Sequence, residues 1–197
     1  MSKTHDKPER IIDAAVRRFS HFGFHKTTLA EIAEDAGLSR QSLLYYFRDK
    51  QALANAVVDA IGQEYLATLN DALSLTRNFE EVLIALVDIR FTYFEKFYMI
   101  FSELHSSDTN RSTVMNAKQS IIERESDLLA KFYKKAVDTG EIESKDAREL
   151  IQLIQQTLEA YQGSANKNRN FPEAGDMKEL MDKQKKLVQL LYTGIRA

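Results

Sequence analysis

The chain has 197 residues, 44% of them hydrophobic, with seven glycines, two prolines, no cysteine and a net charge of −2. That length holds one sizeable core or two small domains, and the scarcity of helix breakers favours long helices in an all-α fold. The lack of cysteine excludes disulfides, thiolate zinc sites and cysteine nucleophiles; no stretch approaches the roughly 20 apolar residues that span a bilayer, and MSKTHDKPER lacks the apolar segment of a secretory leader, so a cytoplasmic protein with no membrane partner is expected.

The first element opens at Asp6 to Glu9, a D-x-x-E start with Pro8 in its first turn, and carries Ile11, Ile12, Ala15, Phe19 and Phe22 on its inward face. The next stretch, TTLAEIAEDAGLSRQSLLYYFRDK from Thr27 to Lys50, reads as two short helices joined by a tight turn, with a third starting behind them. Thr28 and Glu31 form a T-x-x-E capping box, and Leu29, Ile32, Ala33 and Ala36 supply an apolar stripe. Gly37 stands where a left-handed residue ends that helix, and Ser39 offers an oxygen to cap the next. With only Leu38 between them, the two helices cross steeply; Leu38, Leu43 and Phe47 seal the joint. Arg40, Gln41, Ser42, Leu44, Tyr45 and Tyr46 are left over, and most face outward. Such a face is either an ordinary solvated one or a major-groove reader, since arginine pairs with the O6/N7 edge of guanine and glutamine with adenine.

Beyond this region the chain continues as helices. Asp49 caps a fourth helix running from Lys50 into the seventies. Asn78 and Glu81 form another capping box, opening a run from Phe79 to about Leu104. After the polar break SSDTNRST, helix resumes from roughly Thr113 to Thr139 and closes at Gly140; a further amphipathic element covers Ser144 to Tyr161. Gly163 to Gly175 reads as an exposed loop, and Asp176 with Glu179 boxes the start of a last helix. Six aromatics crowd Phe91 to Phe101, more than one core stripe accommodates. The stripes of the last two long helices, including Ile151, Ile154 and Leu158 in one and Leu180, Leu187 and Leu191 in the other, are widened by Leu153, Ala160, Leu190 and Tyr192, so a second buried surface is expected there.

Charge is uneven. Residues 1–50 hold nine basic against seven acidic side chains, which leaves −4 for the remainder. A mildly basic head on an acidic body orients toward a polyanion.

Ile11 to Leu53, IIDAAVRRFSHFGFHKTTLAEIAEDAGLSRQSLLYYFRDKQAL, resembles the DNA-binding domain of the TetR family of bacterial transcriptional regulators. The resemblance rests on the apolar first helix ending in Phe19, Phe22 and Gly23, then Thr27-Thr28, Ile32-Ala33, Ala36-Gly37-Leu38-Ser39, and Tyr45-Tyr46-Phe47 before Lys50. It implies a helix-turn-helix DNA-binding domain over residues 1–50 and a helical effector-binding and dimerisation domain over 51–197. It further implies phosphate contacts at Thr28 and Lys50 and base contacts from Arg40, Gln41, Ser42, Tyr45 and Tyr46. Leu44 departs from the family's usual tyrosine, losing a backbone contact while offering a surface for a thymine methyl. The expected partners are double-stranded DNA carrying a palindromic operator, a second copy of the chain, and a small, hydrophobic effector. Phe94, Phe97, Tyr98, Phe101, His105, Phe132, Tyr133 and Tyr161 are candidates for the effector pocket, and Ile151, Ile154, Leu158, Leu180, Leu187 and Leu191 for the dimer interface. Repression, relieved by effector, is the family default; no cofactor is implied.

Two other readings stay open. In an enzyme, His105 would work with Glu103 and Asp108, yet residues two apart point to different sides of a helix; Glu123, Glu125 and Asp127 beside Arg124 read as a solvated charged face. No phosphate loop, H-E-x-x-H or G-x-S-x-G sequence occurs. An adaptor that binds DNA to recruit another protein would lack an effector-sensitive step.

Overall fold

The computed structural model describes residues 6–106, 111–143, 146–165 and 177–196; the side chains of 104–118 and 161–165 lie outside the description, as do His105 and Tyr161 of the expected pocket. Among the described residues the secondary structure is helical throughout: α1 (Lys7–Phe22), α2 (Leu29–Asp35), α3 (Arg40–Tyr46), α4 (Lys50–Ser74), α5 (Phe79–Lys96), α6 (Tyr98–Ser106), α7 (Arg111–Asp138), α8 (Ala147–Ala165) and α9 (Met177–Thr193). Two compact units divide the chain: Met1–Gln63 with Lys96–Lys118, and Glu64–Glu95 with Gln119–Ala197.

The first unit is built from local signals. Asp6 caps α1 by accepting the Lys7 N–H, and Ile11, Ala14, Ala15 and Phe19 are buried. Phe22, expected inward, is 48% exposed with the Arg18 guanidinium over its ring. The reason is the chain reversal behind it. Gly23 takes φ +84 and donates its N–H to Phe19, which folds Phe24 back so that Phe24 rather than Phe22 packs on Phe19 at 5.3 Å. The Thr28–Glu31 capping box forms, each side chain taking the other's backbone N–H. Gly37 adopts φ +66, and the bond from Leu38 N–H to the Ala33 carbonyl closes the C-terminal turn of α2 in a Schellman pattern. Ser39 then caps α3 by accepting the Ser42 N–H, and Asp49 caps α4 by accepting that of Ala52. α1 packs against both α2 and α6.

In the second unit, Asn78 accepts the Glu81 N–H, but Glu81 turns to the Arg77 backbone and guanidinium, so the return arm of that box lands one residue early. The run expected through Leu104 is two helices, since α5 ends at Lys96 and α6 begins at Tyr98. No glycine or proline marks the break. Phe91 and Tyr93 are buried in the second unit whereas Phe97 and Ile100 are buried in the first, and that division of one apolar run accounts for the interruption. α8 begins at Ala147 with Asp146 accepting the N–H groups of Arg148 and Glu149, later than the expected Ser144, which lies outside the described residues. It then continues to Ala165, through Gly163, which was expected to open a loop. The rest of that loop, with Asp176, also lies outside the described residues. Ile142 and Arg196 form an isolated antiparallel bridge, and Gln184 on α9 donates to the Leu158 carbonyl on α8.

The interior of this unit holds an ionic network. Glu125 on α7, expected on a solvated face, is 2% exposed; Glu123, Arg124 and Asp127 are the exposed members of that run. Its carboxylate receives the Arg90 guanidinium from α5, the Tyr65 hydroxyl from α4 and the Gln155 amide from α8 at 3.0 Å, and Ser126 donates to Gln155 at 2.8 Å. Burial, followed by the charge of Glu125, holds the Tyr65 phenol well above its ordinary range. Burial opposes the charge of Arg90, but Glu125 and Tyr65 outweigh it, so the guanidinium stays protonated. Four helices are thereby joined at one carboxylate. A buried charge survives there because every neighbour donates to it.

Candidate nucleic-acid interface

The recognition candidates sit on a two-turn helix held from behind. Leu43 is fully buried under α3, and Phe47 at its end is half-buried. On the other side Arg40 and Gln41 are exposed, Tyr45 is 84% exposed, and Tyr46 stands edge-on to it at 5.1 Å. Ser42 and Leu44 are half-buried; the Ser42 hydroxyl accepts from Ser39 at 3.0 Å and keeps its own hydrogen for a further acceptor. A guanidinium, an amide and two phenols therefore point away from the core of the first unit, which suits direct reading of base edges.

α1 holds α2 and the turn that leads into that helix. Arg18 makes a two-toothed pair with Asp35 at the end of α2, 2.6 and 2.9 Å, and reaches Glu31 at 3.5 Å. Arg10 donates to the Ala36 carbonyl at 2.5 Å, just ahead of the Gly37 turn. The hydrogen bond from Arg18 lowers the Asp35 carboxyl below its ordinary range, and the Thr28 hydroxyl does the same for Glu31. Neither arginine was singled out from the sequence. A basic residue seventeen positions from its acid gives no local signal.

The expected phosphate contacts are engaged differently. The Thr28 hydroxyl donates to Glu31 at 2.7 Å, so contact with a phosphate requires it to turn or to accept. Lys50 opens α4, half-buried, with its ammonium 4.3 Å over the Phe24 ring. Burial lowers the Lys50 pKa, while Glu103 and Glu31 pull the other way. Two exposed basic residues lie beside these positions in sequence and were not among the expected contacts: Lys26 before Thr27-Thr28, and Arg48 before Lys50, its guanidinium 3.2 Å from the Asp49 carboxylate.

Residues 11–57 match the family model described as "Bacterial regulatory proteins, tetR family". The HTH-type transcriptional regulator RutR of Escherichia coli (strain K12) is 51% identical over 63 residues, which cover 32% of this chain and 30% of RutR. The match thus spans under a third of that relative's length. The uncharacterized HTH-type transcriptional regulator YvdT of Bacillus subtilis is 27% identical over 164 residues, 81% of this chain and 84% of YvdT. A solved transcriptional regulator from Cytophaga hutchinsonii superposes with a TM-score of 0.86 at 26% identity, covering 97% of this chain and 99% of the other. Residues 11–57 thus carry the DNA-binding region of the TetR family.

The helix-turn-helix lies in the first unit, while the aromatic candidates for an effector pocket fall in both. Phe97, Tyr98 and Phe101 belong to the first unit, where Phe97 is buried with its ring 6.4 Å from Phe101. Phe94, Phe132 and Tyr133 belong to the second; Phe94 and Phe132 are half-buried, and Tyr133 is buried edge-on to Phe79 at 5.6 Å. A cleft of about 460 Å³ opens between α7 and α8, lined by Ile122, Ser126, Ile151 and Gln155 among others and by none of these aromatics.

Of the dimer candidates, Ile151, Ile154, Leu158 and Leu180 are buried within the chain itself, because α8 and α9 pack on each other through that stripe. Leu187 and Leu191 are half-buried. The apolar side chains left outward are Leu153, 51% exposed, and Leu190, 71% exposed. Among the described residues no three His, Asp or Glu side chains gather to hold a metal ion, and no helix is long and apolar enough to cross a membrane.

Proposed function

We propose that this protein is a regulator of the TetR family, a homodimeric repressor that binds a palindromic operator through residues 1–50 and leaves it when a small hydrophobic effector binds residues 51–197. The observation that carries the reading is the outward face of α3, where Arg40, Gln41, Tyr45 and Tyr46 project from a helix whose other side is buried and whose ends are capped. Arg40 and Gln41, in the first turn of α3, address base edges, and Lys50 at the start of α4 neutralises a phosphate. The Thr28 hydroxyl supplies a second phosphate contact.

One α3 reads only a few base pairs. Two heads related by a twofold axis read a palindrome with half-sites about 34 Å apart, or multiples of it. The exposed Leu153 and Leu190 and the half-buried Leu187 and Leu191 of α8 and α9 are the surface on which the second copy packs. Within the second unit, Phe94, Phe132 and Tyr133 supply apolar lining for the effector. An effector that prefers the dimer arrangement unable to reach both half-sites lowers operator affinity by that preference, typically ~1 to 3 kcal/mol per site.

Selection of bound sequences from random duplex DNA at fixed salt tests the proposal. Enrichment of a palindrome supports dimeric reading and supplies the operator; a folded protein that enriches nothing refutes it.

A further inference from the structure

The loop between α1 and α2 is held by a residue from far along the chain. Glu103, on α6, accepts the His25 backbone N–H at 3.0 Å. The same carboxylate lies so close over Gly23 that a methyl there would overlap it. Gly23 itself is locked, with φ +84 and its carbonyl taking the buried Thr27 hydroxyl at 2.8 Å. Thr28, the cap of α2, follows directly. Phe24, between Gly23 and His25, is the ring over which the Lys50 ammonium sits. Glu103 also lies within electrostatic range of that ammonium.

We propose that Glu103 is a positioning residue for DNA binding: its carboxylate, by accepting the His25 N–H and filling the space over Gly23, fixes the loop that presents Thr28 and, through Phe24, Lys50. The inference rests on the DNA-binding reading above and goes beyond it by assigning part of the head to α6. A loop with no regular hydrogen bonds of its own is fixed by few contacts, and a charge-assisted bond from a carboxylate to a backbone N–H is among the stronger ones available. The absence of a side chain at Gly23 is what lets the carboxylate reach that amide. α6 is encoded well beyond residue 50, so a ligand that shifts it acts on the loop without passing through α2 or α3.

Two conservative variants separate placement from charge. Glu103→Gln keeps the length of the side chain and an oxygen to accept the His25 N–H but loses the charge. Glu103→Asp keeps the charge but draws it back by one methylene. Equilibrium binding of wild type and both variants to a selected operator and to a scrambled duplex at one salt concentration reads the difference. Because Thr28 and Lys50 are placed at phosphates, placement predicts that Glu103→Asp loses about tenfold in affinity on operator and scrambled duplex alike, and that Glu103→Gln stays within about threefold of wild type on both. The reverse order of the two variants, a loss confined to the operator, or two variants that match wild type would overturn it. A wild type with no preference for the operator would sink the DNA reading and this inference together, whereas a clear wild-type preference with Glu103→Asp unchanged sinks this inference alone.

Discussion

The helix-turn-helix head and the interior of the second unit solve the placement of polar groups in opposite ways. In the head the caps of α2, α3 and α4 join residues three apart, Thr28 with Glu31, Ser39 with Ser42 and Asp49 with Ala52, and the groups are exposed. Around Glu125 the partners Tyr65, Arg90 and Gln155 lie 60, 35 and 30 positions away, and the carboxylate is buried. Exposed local bonds are individually small and give orientation; a buried long-range network is worth much more when one member is removed. The head is therefore expected to tolerate single changes in stability while being sensitive in function, and the second unit the reverse.

Arg90→Ala gives the sharpest test of that contrast. It leaves Glu125 buried without its cation, and urea unfolding should show a loss of about 3 kcal/mol, the lower end of the usual range because Tyr65 and Gln155 still donate to the carboxylate. Operator preference of the folded fraction should not change. A loss under about 1 kcal/mol would show that the network is hydrated and that the two regions do not differ as described.

Ser39→Ala removes the oxygen that caps α3 and should cost about 1 kcal/mol in thermal unfolding. Its effect on operator affinity should exceed that of Arg90→Ala, since α3 carries the readers. Lys50→Ala should leave stability nearly unchanged, weaken binding to all sequences alike and lower the salt slope of binding by about one. A base-pair-specific loss would instead place Lys50 among the readers.

The smallest expected effect is on acid stability. Asp35 is held below its ordinary value of 3.8 chiefly by the hydrogen bond from Arg18, and Glu31 below 4.5 chiefly by Thr28. With folded pKa values lower than unfolded ones, their contribution is present above those ordinary values and is lost as pH falls through the lowered ones. Arg18→Gln should flatten the fall in stability below about pH 4 by a small amount, since both carboxyls are exposed. Identical pH profiles for wild type and variant would show that the Arg18 pair contributes nothing to the head.

The same contrast explains what could be read from the chain. Thr28, Gly37, Ser39 and Asp49 announce themselves because a cap and its target sit within one turn, and α3 follows from them with its exposed face. Phe22 and Phe24 exchange roles because Gly23 reverses the chain between them, and a stripe at helical spacing cannot see where the helix stops. The break at Phe97 has no breaker residue; it comes from burying one apolar run in two units. Glu125 looked like part of a charged surface because its donors come from three other helices, and Glu103 attracted notice only beside His105, although the group it holds is the amide of His25. Periodicity records which face is apolar. It does not record which distant side chain will meet a buried carboxylate.

The central claim is that the outward face of α3 reads base edges, and the most direct measurement is the ratio of operator to scrambled-duplex affinity for wild type and Arg40→Ala at one salt concentration. The account predicts that Arg40→Ala loses ~1 to 3 kcal/mol on the operator, relaxes preference at one base pair and keeps its affinity for scrambled DNA to within a phosphate contact. An equal loss on both duplexes, with the ratio unchanged, would contradict it and leave Arg40 as one more charge on a basic surface.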